Sequence, residues 1–518
     1  MVIRPFGDRA FLVELATIDE VSGLHAALAA SQPPGIRDVV PAARTVLVVR
    51  DPAVLSDAAA RAWVRSARAT PGAGDAPPHR TVEVPVVYDG PDLGDAASAV
   101  GVGPDALVAR HLAASWSVAF TGFAPGFGYL VSAEWPFDVP RLESPRPRVP
   151  RGSIGLAGEF SGAYPRETPG GWRLIGRTDA PLFDPAGVEP VLLTPGTTVR
   201  FRPVRAAAEV AEPQPVRTAG PTAFTVVDPG PLATVQDRGR PGRQADGVAP
   251  SGAADRGALQ TANRLVGNTA DAAGVEVLLG GFRAVADRDL WVAVTGAWGA
   301  IRIGGRVVDP YAPVRWPAGD ELELDRFRAG VRAYLAVRCG LGGPAVFGSR
   351  ATDTLAGLGP APMRAGDAVA TADAEGHPIP VVDAFPWTPP GGALDISAAL
   401  EIPVAPGPRA DWFAPAAHRA LFEADWVVGA QADRVGLRLD GPVLDRTAVA
   451  TGRELPSEGM LPGALQVPPE GRPVVLGPDG PVTGGYPVIG VVTDAGLDLL
   501  AQARPGTHLR LRRARPLA

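Results

Sequence analysis

The 518-residue chain has no lysine, so its 49 Lys+Arg positions are all arginine. That absence excludes a biotinyl-lysine, a Schiff-base lysine and the lysine of a Walker A loop from these residues. A phosphate held here must be met by arginine and backbone N–H groups. Cysteine is nearly absent as well. The one copy, Cys339, rules out an internal disulfide and a thiolate metal cluster, and within Ala336-Val337-Arg338-Cys339-Gly340 it reads as a small buried hydrophobe. The six histidines are scattered, with no H-x-x-x-H pair, and no metal site is expected. Net charge is −6, and no basic stripe interleaved with aromatics marks a nucleic-acid surface. No apolar run reaches the ~18–20 residues of a membrane span. Met1 to Phe6 lack the charged-then-apolar pattern of a signal peptide. The expectation is a cytoplasmic protein that meets neither nucleic acid nor membrane.

What is abundant is turn chemistry. Gly (63) and Pro (57) are spread along the chain without a G-x-y period, which reads as many turns between short strands. Hydrophobic residues at 46% allow sizeable cores, and the length calls for about three or four domains. The fold class expected is mainly β, with a small α+β domain over residues 1–75, where strands at 10–15 and 45–49 alternate with helices at 21–30 and 53–67. A β module follows over 80–204, opening on a strand near 82–87 and a helix over 104–115. Residues 205–222 read as a linker. The remainder, 223–518, is again rich in strands, with a helix over 254–265 whose N-cap is assigned to Ser251.

A partial repeat joins the two modules. Gly170-Gly171-Trp172 through Thr178-Asp179 parallels Gly484-Gly485-Tyr486 through Thr493-Asp494, and Pro195-Gly196-Thr197 parallels Pro505-Gly506-Thr507. Two matches in order suggest related β-barrels, which also remove exposed strand edges.

Several constellations can carry chemistry. In Gly122-Phe123-Ala124-Pro125-Gly126-Phe127-Gly128 glycines alternate with aromatics, so backbone can approach a ligand while rings wall it in. His111, about ten residues upstream, is a candidate proton shuttle. Arg148, in the proline-stiffened run Arg141 to Arg151, is a candidate anion clamp. Gln236-Asp237-Arg238 offer an amide, a carboxylate and a guanidinium at one strand end. Asp433, Arg434, Gln466 and the turn Thr483-Gly484-Gly485-Tyr486 stand late in the chain, the turn being a source of free N–H groups. Asp237 is the candidate base. The expectation is one pocket per module: His111, the glycine-aromatic loop and Arg148 at the first, the rest at the second.

Together these stretches resemble a known pair of families. Gly122 to Leu130, Pro145-Arg146, Gly152-Ser153 and Pro169-Gly170-Gly171-Trp172 are similar to allophanate hydrolase subunit 1. Thr234 to Arg240, Pro250 to Asp255, Ala262-Asn263, Asp433-Arg434 and Thr483 to Pro487 are similar to subunit 2. Two positions depart from the pattern: Ala351 stands where the family shows serine, and Val482 where it tends to show threonine. The resemblance implies cyclophilin-like barrels, one in the first module and two in the second. It also implies a fusion of the B and C components of an ATP-dependent 5-oxoprolinase, working with a separate A component, with ATP and Mg2+ but no biotin. In that chemistry the amide oxygen of a small lactam is phosphorylated, and water then attacks the carbonyl carbon. Two alternatives come with the same resemblance: an amide-processing protein related to urea and allophanate carboxyl transfer, and a kinase-regulating binding protein of the sporulation inhibitor type. Homo-oligomerisation is left open.

Overall fold

The computed structural model describes residues 1–69, 80–187, 189–206, 220–372, 376–379 and 399–515. Most of the segment read as a linker lies outside the described residues. The fold is mainly β and includes barrels, as expected. No helix among the described residues is long and apolar enough to cross a membrane.

The N-terminal part is a four-stranded antiparallel sheet in the order Val2–Phe6, Ala10–Glu14, Thr45–Arg50, Ile36–Pro41. Its two helices are Ile18–Ala30 and Asp57–Ala69. The strand Thr45–Arg50 is buried at every position instead of alternating. The reason is that both faces of the sheet are covered. Val46 and Val48 pack with Val21, Leu24 and Val64 of the helices. Leu47 and Val49, pointing the other way, pack with Met460, Leu461, Leu476 and Val488 far along the chain.

The repeat read from sequence marks two copies of one barrel. The first runs in the order Arg173–Arg177, Ser153–Ala157, Phe160–Ala163, Gly128–Val131, Trp116–Thr121, Thr198–Pro203, Thr81–Val86. Its ends meet through the bridge Val87–Arg177. The second is Val488–Val492, Ala464–Gln466, Val474–Leu476, Gly436–Asp440, Trp426–Ala432, His508–Arg513, Leu400–Pro406, closed back onto Val488–Val492. Strand for strand the order is the same. In each, the first strand pairs in parallel with the last. In each, a helix opens on proline (Pro104–Ala113, Pro415–Glu423), where the missing N–H costs nothing. In each, a buried tryptophan follows, its Nε1 donating at 3.0 Å to the carbonyl five residues back: Trp116 to His111, Trp426 to Leu421.

Between the barrels, residues 222–370 form two sheets, of six and five strands, around one core that includes Phe224, Phe282, Trp316 and Leu335. The helix there is Arg256–Leu265, and its N-cap is Asp255, whose side chain accepts from Ala258 N at 2.9 Å. Ser251 does not cap it; it stands four residues earlier in a left-handed conformation, φ 50. Cys339 is half-buried in a left-handed turn, φ 74, with its N–H on Asn268 Oδ1, and is not a core residue.

One charge network ties this middle unit to the second barrel. Arg434, 2% exposed, donates to both oxygens of Asp479 at 2.9 Å, to Glu276 Oε1 at 2.8 Å and to Gly252 O at 2.7 Å. Glu276 also accepts from Tyr334 Oη at 2.7 Å and sits 3.4 Å from Arg332. Arg434→Met strands two buried carboxylates. We expect it to destabilise the chain by roughly 3 kcal/mol or more in urea unfolding, since breaking one side of a buried pair is far costlier than losing a surface one.

Candidate functional site

The two loops assigned above to different pockets meet at one seam. Phe123 N donates to Thr483 Oγ1 at 3.1 Å, with Phe123 itself left-handed at φ 65. A Cβ on Gly122 would run into the Thr483 hydroxyl, so only glycine allows this approach. The loop 242–247 seals the junction. Thr121 Oγ1 donates to Ala245 O, and Gly126 N donates to Asp246 O at 3.1 Å. Gln244 Nε2 reaches Met460 O of the second barrel at 2.9 Å. The N–H groups of Gly242 and Gln244 donate to Asp38 of the N-terminal sheet at 2.8 and 3.1 Å.

Beside this hub lies a cleft of about 690 Å³, lined from three parts of the chain: Arg9, Arg37 and Asp38 of the N-terminal sheet, Asp237, Arg238 and Arg256 of the middle unit, and Asp433, Asp494 and Asp498 of the second barrel. Most of its cations are matched. Arg37 pairs with Asp51, and Arg256 with Asp494 and Asp498. Arg238 is exposed and makes no ion pair among the described residues. Burial pushes the Asp38 carboxyl up to about 7, against the pull of its two backbone N–H donors. No sequence signal marked Asp38. It lies in Ile36–Pro41, an ordinary strand, and its burial depends on a loop two hundred residues away.

The other predicted residues sort by surroundings. Asp433, like Asp237 and Arg238, reaches the cleft, but its carboxylate is held by the N–H groups of Val435 and Gly436. Asp237 accepts from Ser349 Oγ, Gly239 N and Arg350 N at 2.6–2.7 Å. These bonds fix two loops, so Asp237 positions them as well as standing in the cleft wall. His111 is a core histidine and not a shuttle: it is fully buried, Nδ1 on Tyr88 Oη at 2.8 Å, Nε2 on Ser161 Oγ at 2.9 Å, ring stacked on Phe201. Burial drives its pKa down to about 3, which keeps it neutral. Arg148 is exposed and engaged by both oxygens of Glu167. Phe127 packs with Tyr164 and Trp172 inside the first barrel, while Phe123 and Tyr486 are partly exposed. Pro125 holds the loop beside Gly247, where a Cβ would also clash. Gln466 is buried with its Nε2 against Gly484; Gly485 is exposed. Gln236 is wholly buried, donating to Thr234 Oγ1 and Thr352 O.

The family models agree with this two-part construction. The carboxyltransferase domain, subdomain A and B, matches residues 246–513, and subdomain C and D matches residues 1–193. The chain belongs to the carboxyltransferase domain family. Within that family it is similar to the C component of 5-oxoprolinase from Escherichia coli K12, 36% identical over 280 residues, 54% of this chain and 86% of the relative. It is also similar to the B component of 5-oxoprolinase from Escherichia coli O157:H7, 48% identical over 130 residues, 24% of this chain and 60% of the relative. A urea amidolyase of Lachancea kluyveri is 30% identical over 311 residues, but only 17% of that long protein is matched. Among solved structures, TTHA0988 superimposes with a TM-score of 0.86 at 35% identity, over 97% of this chain and 99% of that one. This carboxyltransferase-family chain is therefore a B+C-type fusion, the pair that the allophanate hydrolase motifs marked.

Two outcomes are expected of the seam. Gly122→Ala lowers the melting temperature by several degrees, equivalent to about 1–3 kcal/mol of overpacking, and adding Thr483→Ala recovers part of the loss. The second concerns Asp38, whose folded-state pKa lies above its unfolded value of about 4. The native state holds the proton more tightly, so stability falls as pH rises from about 4 to about 7. Melting curves between pH 5 and 8 show this fall, and Asp38→Asn flattens it.

Proposed function

We propose that this chain is the B+C component of an ATP-dependent 5-oxoprolinase, opening a small lactam in the three-way cleft together with a separate A-type protein. The observation that carries the reading is the seam itself. The stretches matching carboxyltransferase subdomains C and D and subdomains A and B occur here in one polypeptide, and Arg9, Arg37 and Asp38 of the first line one cleft with Arg256, Asp433, Asp494 and Asp498 of the second.

The cleft suits a small polar ligand of mixed charge. Arg238 meets the ligand's carboxylate. Asp38, titrating near neutrality, exchanges a proton with the nitrogen released when the ring opens. A triphosphate does not fit. The cleft's other arginines are already paired, Arg9 with Asp8 and Asp494, Arg37 with Asp51, Arg256 with Asp494 and Asp498, and Arg332 with Glu276, while Asp237 and Asp433 add negative charge that disfavours an anion of that size. Nucleotide handling therefore belongs with the A-type partner, and ATP there supplies the activation that makes an otherwise uphill ring opening run forward. A carboxyl-transfer role of the urea amidolyase kind is less favoured, because these 518 residues contain no lysine to carry biotin.

The test is release of glutamate and phosphate from 5-oxoproline and ATP by the chain mixed with an A-type partner. Full activity is expected only from the mixture. Arg238→Ala raises KM about tenfold or more, and Asp38→Asn lowers kcat about 10²-fold. Equal turnover by the A-type partner alone sinks the reading.

A further inference from the structure

One constellation behind the cleft wall is left over by the mechanism above. Arg240 is 1% exposed, and a guanidinium so buried ordinarily has every donor matched. Here Nη2 donates to Ala351 O, while Nε and Nη1 have no hydrogen-bond partner among the described residues. Asp353, also 1% exposed, accepts the N–H groups of Leu355 and Ala356 on Oδ1 and nothing on Oδ2. Gln236 uses its Nε2 twice and leaves Oε1 unpartnered.

These orphans belong to one place. Gln236 and Arg240 clasp the same loop, at the carbonyls of Thr352 and Ala351, and Asp353 is the next residue of it. Arg240 and Asp353 feel each other's charge, yet no hydrogen bond joins them. Asp237 and Pro241, the immediate neighbours of Gln236 and Arg240, line the cleft.

The unmatched groups are of two kinds, donors on Arg240 and acceptors on Asp353 and Gln236. A cis amide presents the complement along one edge: a carbonyl oxygen that accepts and, beside it, an N–H that donates. Lactams, ureas and primary carboxamides all have that edge. We infer that Arg240, Asp353 and Gln236 form the recognition set for the amide edge of the substrate, Arg240 donating to its oxygen and Asp353 or Gln236 accepting from its N–H. The inference rests on the lactam reading above and deepens it by naming the groups that distinguish an amide from an ester or an N-alkylated lactam.

The test uses the full-length chain with 5-oxoproline, N-methyl-5-oxoproline and 2-pyrrolidone as probes, by calorimetry and thermal shift. The wild type is expected to bind 5-oxoproline and 2-pyrrolidone and to discriminate against the N-methyl compound by about 10²-fold or more, the penalty of an unmatched buried acceptor. Arg240→Met is expected to weaken 5-oxoproline binding at least about tenfold, with its ligand-free melting temperature measured alongside, because the guanidinium also bonds Ala351 O and lies in the field of Asp353. Gln236→Leu is expected to reduce discrimination against N-methylation, which keeps the idea testable should the arginine variant fold poorly. Unchanged affinity in Arg240→Met with a lowered melting temperature would make Arg240 a structural cation and overturn the inference, as would tight binding of the N-methyl compound. Binding of 2-pyrrolidone but not 5-oxoproline, still dependent on Arg240, keeps the recognition set and overturns the 5-oxoprolinase reading instead. No binding of either lactam overturns the recognition set.

Discussion

Everything at the centre of the molecule depends on how Arg434 is neutralised. Its guanidinium joins Asp479 of its own barrel to Glu276 of the middle unit, with Gly252 O taking a further donor. A buried ion is tolerated only when its partners are fixed and its donors filled, and a planar fork with five donors fills them with directional bonds. A lysine offers three rotatable donors and could not hold two carboxylates and a carbonyl in one plane. The chain has no lysine, so each buried cation is a fork of this kind. The same logic recurs at Arg409, which spans Glu458 and Glu14 between the second barrel and the N-terminal sheet. The parts are held by geometry-specific charge as well as by apolar area. Their relative placement is therefore sharply defined, and a cleft between three of them can be preorganised.

Arg240 shows what the same rule means when it is broken. Arg434 is saturated, whereas Arg240, equally buried, leaves two donors unmatched. The first arrangement is what a structural cation looks like in this protein. The contrast within one molecule, not an average over others, is what makes the second a candidate for binding.

Local patterns carried the fold further than the site. Helix and strand periodicity fell within a few residues of Ile18–Ala30, Pro104–Ala113 and Arg256–Leu265. The short helices Leu93–Ala99 and Asp494–Leu500 left too little periodic signal, and Pro415–Glu423 hid among alanines. The glycine motifs were visible because a clash-free approach leaves a local mark: Gly122 must be glycine wherever its neighbour comes from. What that neighbour is is long-range information, so the two loops read as two pockets when they form one seam. His111 misled for the same reason. A histidine on a helix looks the same in sequence whether it faces solvent or, as here, Phe201, Tyr88 and Ser161. Asp38 was silent because its altered acidity comes from burial under the loop of Gly242 and Gln244, which meets it only in the folded chain.

The duplicated barrel explains why the two copies meet through protruding loops, while the cleft itself lies between the N-terminal sheet, the middle unit and the second barrel. Corresponding strands are joined in the first barrel by the loop 122–127 and in the second by 433–435. Both loops leave their own barrel to dock on a neighbour, the first on Thr483 and the 245–246 backbone, the second on Glu276 and Gly252. A barrel of this size fills its interior with side chains, here Trp116 and Trp426 among them. Contacts with neighbours are built from what protrudes. One copy contributes a glycine-aromatic loop whose backbone can come close, the other an arginine whose charge must be met. Because the same topological position supplies both, the two halves could diverge in chemistry while the strand framework that aims them stayed the same.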